Sequence, residues 1–340
     1  MTTITTSRYA AAHADPHGPG DARPTALKII KDEQREGTMS DKVVFITGCS
    51  SGLGIETARA MKATGATLFV TARNLEKAKQ ALGDILDGGR VHLLKLDLES
   101  LDSVRACVDE FKSKSSKLNI LIENAGIRHV PLGRMRDGYE KHWGTNHLSH
   151  FLLLELLRPV LIATATPDFC SRAVLVSSTA HRNAPMDFSD LNWEKRQYVP
   201  SVAYGQSKLA DVYTASEVDR RYGAQGLHAW SMHPGGIRTG LQAPSQWDIK
   251  DWLVVVKSGP IATLMSMMNA EQGASTSVWA AVSRDLEGQG GKYLERNRFS
   301  EPLKKGWKMI DPGHAEWAYD GEAAARLYDM SLKEINPWLD

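Results

Sequence analysis

Continuous apolar, β-branched runs alternate along this chain with segments whose apolar positions recur every three or four residues. The first run, KVVFITG (42–48), is a continuous β-branched and apolar run ending in glycine, as expected of a strand buried on both faces. GIETARAMKATG follows with helical spacing and a terminal Gly65 suited to a helix C-cap. The alternation continues through TLFVTAR (strand), NLEKAKQALGDIL (helix), RVHLLKLDL (strand), SLDSVRACVDEFKSK (helix) and LNILIENAG (strand). A long helical region is predicted from near Tyr139, then the strand RAVLVSS, a helix over 203–222 and the strand LHAWSMHPG. A helical segment near 271–285 and a short strand, GKYLE (291–295), complete the pattern. Strands alternating with helices imply an α/β fold: one doubly wound, mainly parallel sheet, covered on both faces through right-handed crossovers.

Two regions depart from this rhythm. Residues 1–39, with their Pro/Gly cluster and the short helical candidate TALKIIKDEQRE, read as a loosely packed N-terminal extension ahead of a single domain over 40–340. Residues 240–270 read as an insertion within that domain. Its Trp247, Trp252, LVVV and LMSMM suit an apolar lid over a lipophilic substrate, and equally burial against the core or a partner subunit.

Composition narrows the classes. Hydrophobic residues at 42% and charged ones at 24% give enough apolar surface for a core, and a net charge of +1 gives no drive toward nucleic acid or anionic membrane. Cys49, Cys107 and Cys170 are scattered, which points to a reducing compartment rather than a disulfide framework or a zinc site. No apolar run has the roughly 18 residues a membrane span needs; FLLLELLRPVLIA (151–163) is interrupted by Glu155, Arg158 and Pro159. The N-terminus lacks the apolar core of a signal peptide, so the expected location is cytoplasmic.

Candidate chemistry begins where the first strand meets the first helix. In TGCSSGLG (47–54), Gly48, Gly52 and Gly54 allow a tight turn and leave backbone N–H groups and the helix dipole open to a pyrophosphate. The same glycines would serve a ligand-free turn. AYGQSK (203–208) puts Tyr204 and Lys208 four residues apart, on one helix face. A fixed ammonium favours the phenolate, which makes a tyrosine usable as a general acid or base near neutrality; the same spacing is also common in ordinary surface pairs.

Together with NAG (124–126), VLVSS and HPGG (233–236), these motifs resemble the short-chain dehydrogenase/reductase family, in its order and over residues 42 to about 295. TNHLSHF (145–151) and the long gap between Ser178 and Tyr204 resemble its retinol-dehydrogenase-like branch, and the whole pattern is similar to fungal members. The resemblance implies a Rossmann-type NADP(H)-binding catalytic domain that interconverts a carbonyl and its alcohol by hydride transfer. It implies Ser178 as the hydroxyl polarising the substrate oxygen, Tyr204 as acid/base, Lys208 as its modulator and ribose ligand, and Asn146 as holder of a water that links Lys208 to solvent. Ser177, pointing to the other face of the strand, is then structural. The cofactor would be held by Gly48, Ser50, Ser51, Gly52, Leu53 and Gly54 at the glycine turn, and by Asp97 and Leu98 at the adenine. Asn124, Ala125 and Gly126 would line the cleft with Tyr204 and Lys208. Pro234, Gly235, Ile237 and Thr239 would hold the nicotinamide amide. Relatives are monomers, dimers or tetramers, so a homo-oligomer is compatible.

The second strand ends FVTARN, with Ala72 where an NAD-binding acid would stand, then Arg73 and Asn74. A guanidinium grips a 2′-phosphate that a carboxylate would repel, which favours NADP(H) over NAD(H); a capped surface turn is the plainer role for Arg73. His142, His147 and His150 cluster, yet no carboxylate or thiol accompanies them at a ligand spacing, so no metal is expected. Glu123 stands where many relatives carry Asn, which bears on the cofactor pocket. Two rival classes remain: a catalytically silent nucleotide-binding sensor or scaffold, for which Ser178 would be superfluous, and an epimerase or dehydratase, whose glycine turn usually has a different spacing.

Overall fold

The computed structural model describes residues 7–237, 259–308 and 310–339. Its eight strands form one sheet: β1 Val43–Ile46, β2 Thr67–Ala72, β3 Val91–Lys95, β4 Ile120–Glu123, β5 Ser171–Val176, β6 Leu227–His233, β7 Lys292–Glu295 and β8 Arg298–Phe299. Their order is β3-β2-β1-β4-β5-β6-β7-β8, parallel except for the antiparallel β7–β8 pair. Chain order reverses between β1 and β4, whose register pairs Phe45 with Leu121. A crevice opens at the carboxyl ends of strands at such a reversal.

Continuous apolar strands follow from having helices on both sides. Alternate residues of β1 enter opposite cores: Val43 and Phe45 join Phe69, Leu121 and Phe151, whereas Val44 and Ile46 join Val70, Ile122 and Trp279. The helices are α1 Ala10–Ala14, α2 Ala26–Asp32, α3 Leu53–Ala63, α4 Leu75–Leu82, α5 Leu101–Lys114, α6 Ser149–Thr164 and α7 Pro200–Tyr222. Further helices include Pro260–Ser266, Ser275–Val282 and Gly321–Ile335. Residues of α5, α6, α7 and Gly321–Ile335 fill the first core; those of α2, α3 and Ser275–Val282 fill the second.

The long helical region begins at Lys141, close to where its pattern suggests. Residues 135–139 close a turn through Met135 N and Tyr139 O at 2.9 Å, and a π-helical stretch, Trp143–Leu148, then leads directly into α6. Trp143–Thr164 is long and apolar enough to cross a membrane; here most of it is packed inside the fold, with Leu148, Phe151, Leu152 and Leu153 in the core.

The N-terminal extension is not loosely packed. Tyr9, Ile29 and Ile30 are buried in the second core. Arg23, 6% exposed, pairs with Asp21 at 2.8 Å and donates to the carbonyls of Gly18, Ser266 and Met267 at 3.0, 2.7 and 2.6 Å. The Gln272 side chain accepts from Gly20 N at 2.9 Å and donates to Asp21 Oδ1 at 3.0 Å. Partners some 250 residues away hold the segment down. Of the 240–270 insertion, residues 240–258 lie outside the described residues, including Trp247 and Trp252.

Candidate active site

At the carboxyl edge of the sheet, a cleft of about 910 Å³ runs from β2 and β3 across the glycine turn to β6. Gly48 has φ +76°, and a Cβ there would lie 2.8 Å from Ala125 Cβ. At Gly54 a Cβ would sit 2.2 Å from Gly48 O and 2.8 Å from Asn124 Nδ2. The turn is therefore pressed against the NAG segment with no space for side chains. Gly52, with φ +61°, opens α3 without a side-chain cap, leaving the helix's first N–H groups to the cleft. Such a cradle, with Ser50, Ser51 and Leu53 also lining it, fits a nucleotide pyrophosphate.

Thr47, which the sequence reading passed over, organises this junction. Its Oγ1 accepts from Asn124 N and Ala125 N at 2.9 and 3.0 Å and reaches His150 Nε2 at 3.1 Å. Asn124 Nδ2 donates to Thr47 O at 2.9 Å. Burial brings His150 down to about 4, so the ring is neutral, and its Nδ1 donates to Asn146 O at 3.0 Å. His147 is likewise held neutral by burial, at about 3, beside Ser331 Oγ. His142 lies between Glu140 and Tyr198, its Nδ1 3.0 and 2.9 Å from Glu140 Oε1 and the Tyr198 hydroxyl. The three histidines are thus each engaged in separate hydrogen bonds.

Tyr204 and Lys208, both 5% exposed, line the cleft together with Ser178. Lys208 Nζ donates to Val176 O at 2.8 Å, which ties α7 to the end of β5 two residues before Ser178. Gly205 makes this approach feasible: a Cβ there would meet Ala180 O at 2.6 Å. The Tyr204 ring packs edge-on to His129 and His142, with centroids 5.7 and 6.0 Å away. Ser178 caps the following turn by accepting from Ala180 N at 3.1 Å, while Ser177 donates to Lys208 O at 2.6 Å.

Asn146 lies beneath the cleft floor rather than in its wall. Its Oδ1 accepts from Ile127 N at 2.8 Å, and its Nδ2 donates to Ile127 O and Ser207 Oγ at 3.0 and 2.9 Å. The side chain thereby fixes the strand end after Gly126 to α7.

At the end of the cleft beside β2 and β3, Asp97, Leu98 and Arg73 line it. Arg73 pairs with Glu99 at 3.0 Å, and Glu99 also pairs with Lys141 at 3.0 Å. Asn74 turns away and caps α4 by accepting from Lys77 N at 2.9 Å. Pro234, Gly235 and Ile237 line the far end, joined by Met267 and Met268; Thr239 lies outside the described residues. Among the described residues no group of three His, Cys, Asp or Glu is arranged to hold a metal ion.

The sequence profile described as short chain dehydrogenase matches residues 42–250. The chain belongs to the short-chain dehydrogenase/reductase family. Among members, the short-chain dehydrogenase/reductase prx1 of Penicillium roqueforti is 43% identical over 97% of this chain and 95% of its own length. Retinol dehydrogenase 12 of Mus musculus is 36% identical over 86% of this chain and 85% of its own. The crystal structure of an uncharacterized protein from Mycobacterium Paratuberculosis matches with a TM-score of 0.66 and 32% identity, covering 93% of this chain and 98% of that one. This short-chain dehydrogenase/reductase is thus an oxidoreductase of a family that binds nicotinamide cofactors, similar to fungal and retinol-dehydrogenase-like members.

Proposed function

We propose that this chain is an NADP(H)-dependent oxidoreductase that interconverts a lipophilic ketone or aldehyde and its alcohol in the cytoplasm. One observation carries the reading: a buried ammonium, Lys208, follows Tyr204 by one helical turn in a cleft that Ser178 also lines. The glycine turn and the NAG segment would hold a nicotinamide nucleotide, which would supply or accept the hydride at the substrate carbon. Tyr204 gives its phenolic proton to the carbonyl oxygen during reduction and takes it back during oxidation. Ser178 Oγ donates to the same oxygen, so two fixed donors stabilise charge where it develops. Lys208 keeps a positive charge beside the phenol: burial alone would lower its pKa, but Asp211 and Tyr204 outweigh burial and raise it. Asn146, in this reading, steadies the floor of the site and the water path to Lys208.

Arg73 supports NADP(H), standing at the end of β2 with no acid at Ala72. Val130, Val202, Met267, Met268, Ile310 and Pro312 line the cleft and suit an apolar substrate, as do the names of the retinol-dehydrogenase relatives. The domain is read as 40–340 with 1–39 as an extension, and 240–270 as a substrate lid.

The test is a screen of NADPH oxidation against lipophilic aldehydes, ketones and quinones, with the Tyr204→Phe variant alongside. Wild-type turnover and a loss of at least about 100-fold in the variant are expected, with nucleotide binding kept. Undiminished turnover by the variant would defeat the assignment.

A further inference from the structure

Two buried carboxyls stand behind the proposed acid/base, and the reaction above uses neither. Asp211, 4% exposed, lies on α7 three residues after Lys208, and its Oδ2 accepts from Nζ at 2.9 Å. Nζ also donates to Val176 O, so two of its three N–H bonds are spent inside the protein. Glu123, the last residue of β4, is 3% exposed, and its Oε1 has no hydrogen-bond partner. Buried charges persist when paired, and among the neighbouring side chains Lys208 is the cation that acts on both carboxyls.

Burial and the charge of Asp211 hold the Glu123 carboxyl well above the usual range, so it keeps its proton. Burial also raises Asp211, to about 6 against the pull of Lys208, so it carries its charge at neutral pH. From the helix Trp143–Thr164, His147 and His150 face Lys208 and are neutral. His129, His142 and Tyr293 face Tyr204.

We propose that Asp211 is a positioning residue for the reaction: it fixes the Lys208 ammonium against the end of β5 and offsets part of its field at the Tyr204 phenol. Asp211 thereby sets the pH range over which the phenol exchanges its proton. This rests on the reading of Tyr204 as acid/base. Replacing Asp211 by Asn keeps an acceptor for Nζ and removes the negative charge. The first proton lost from the coupled Tyr204–Lys208 pair then leaves at lower pH, whichever of the two groups releases it. Two helical turns separate Asp211 from Tyr204, a distance at which one charge moves a titration by roughly one pH unit.

The experiment uses the full chain with NADP⁺. Phenolate formation is followed by ultraviolet absorption, as the difference between each protein and its Tyr204→Phe counterpart. Asp211→Asn is expected to lower the midpoint by roughly half a unit or more. Asp211→Glu should restore it, and Glu123→Gln should leave it in place. An unmoved midpoint in Asp211→Asn overturns the proposal, as does an equal shift in Glu123→Gln. Asp211→Ser is the second neutral variant if the amide does not fold, with near-ultraviolet circular dichroism as the check. The pH profile of kcat/KM for all-trans-retinol oxidation should shift in the same direction where turnover is present. Full turnover by Tyr204→Phe defeats the acid/base reading alone, because the titration still reports whether Asp211 acts on the phenol.

Discussion

Ser177 donates its hydroxyl to the main-chain carbonyl of Lys208 at 2.6 Å, whereas its neighbour Ser178 keeps its own hydroxyl at the cleft. Adjacent residues at the end of one strand thus differ: one bonds within the fold and the other lines the cleft. Ser177→Ala is expected to lower unfolding stability by about 1 kcal/mol with kcat little changed. Ser178→Ala should lower kcat about 100-fold and, by removing the cap on Ala180 N, also cost about 0.5–1 kcal/mol of stability, so the two variants part on kcat. Urea unfolding and steady-state turnover on the same two proteins check both.

Gly205 gives a sharper steric test. A methyl group there would press on Ala180 O, backbone two residues after Ser178, and on Asn183 Cβ at 3.1 Å. Gly205→Ala should cost roughly 1–3 kcal/mol and move Tyr204 relative to Ser178, lowering kcat more than it raises KM. Gly321, which has open space around its Cβ position, is the control: Gly321→Ala should leave kcat unchanged.

The proposed preference for NADP(H) rests on Arg73. Arg73→Ala is expected to weaken NADPH binding about tenfold or more and to leave NADH binding within about twofold, since only the former carries a 2′-phosphate. Because Glu99 already holds the guanidinium at 3.0 Å, Glu99→Gln should tighten NADPH binding. Fluorescence titration of both nucleotides against the three proteins reads the outcome.

Stability should fall as the solution is acidified from neutral. Burial lowers His147, His150 and His181 to about 3, 4 and 3. Between about pH 6.5 and 4 the unfolded chain binds these protons and the folded chain does not, so folding stability is complete above that window and is lost on descending through it. The slope reaches at most about 1.4 kcal/mol per pH unit for each histidine. His181 Nδ1 donates to Ser178 O at 2.7 Å and its Nε2 accepts from Ala315 N at 3.2 Å, so protonation at Nε2 breaks the Ala315 bond and leaves the one to Ser178 in place. Urea unfolding at pH 7, 6 and 5 measures the slope; a flat profile would contradict it.

Much of the sheet was legible because parallel strands covered on both faces are apolar or β-branched nearly throughout, as VVFI and TLFVTA are. β8 escaped notice because two residues, Arg298 and Phe299, carry no periodic signal. Gly321–Ile335 was not singled out, although Ala324, Leu327, Tyr328 and Ile335 recur at helical spacing and are buried. The candidate site was legible where function needs fixed spacing: the glycine turn, NAG, the serine pair and Tyr204 with Lys208. Thr47, Gly205 and Asp211 were not, because their significance arises only when β4, β5 and α7 meet. A polar residue at the end of a strand looks the same in sequence whether it bonds to one neighbour or joins three segments.

The Arg23 and Gln272 anchors bear on how this enzyme can be prepared. His13, Pro16 and Arg23 form part of the cleft wall, yet the family match begins only at residue 42. An expression clone that starts at residue 42 would lose these wall residues together with Tyr9, Ile29 and Ile30, which are buried in the second core. Weak activity from such a fragment would reflect the cut, and a bulky tag fused close to residue 7 would carry a similar risk.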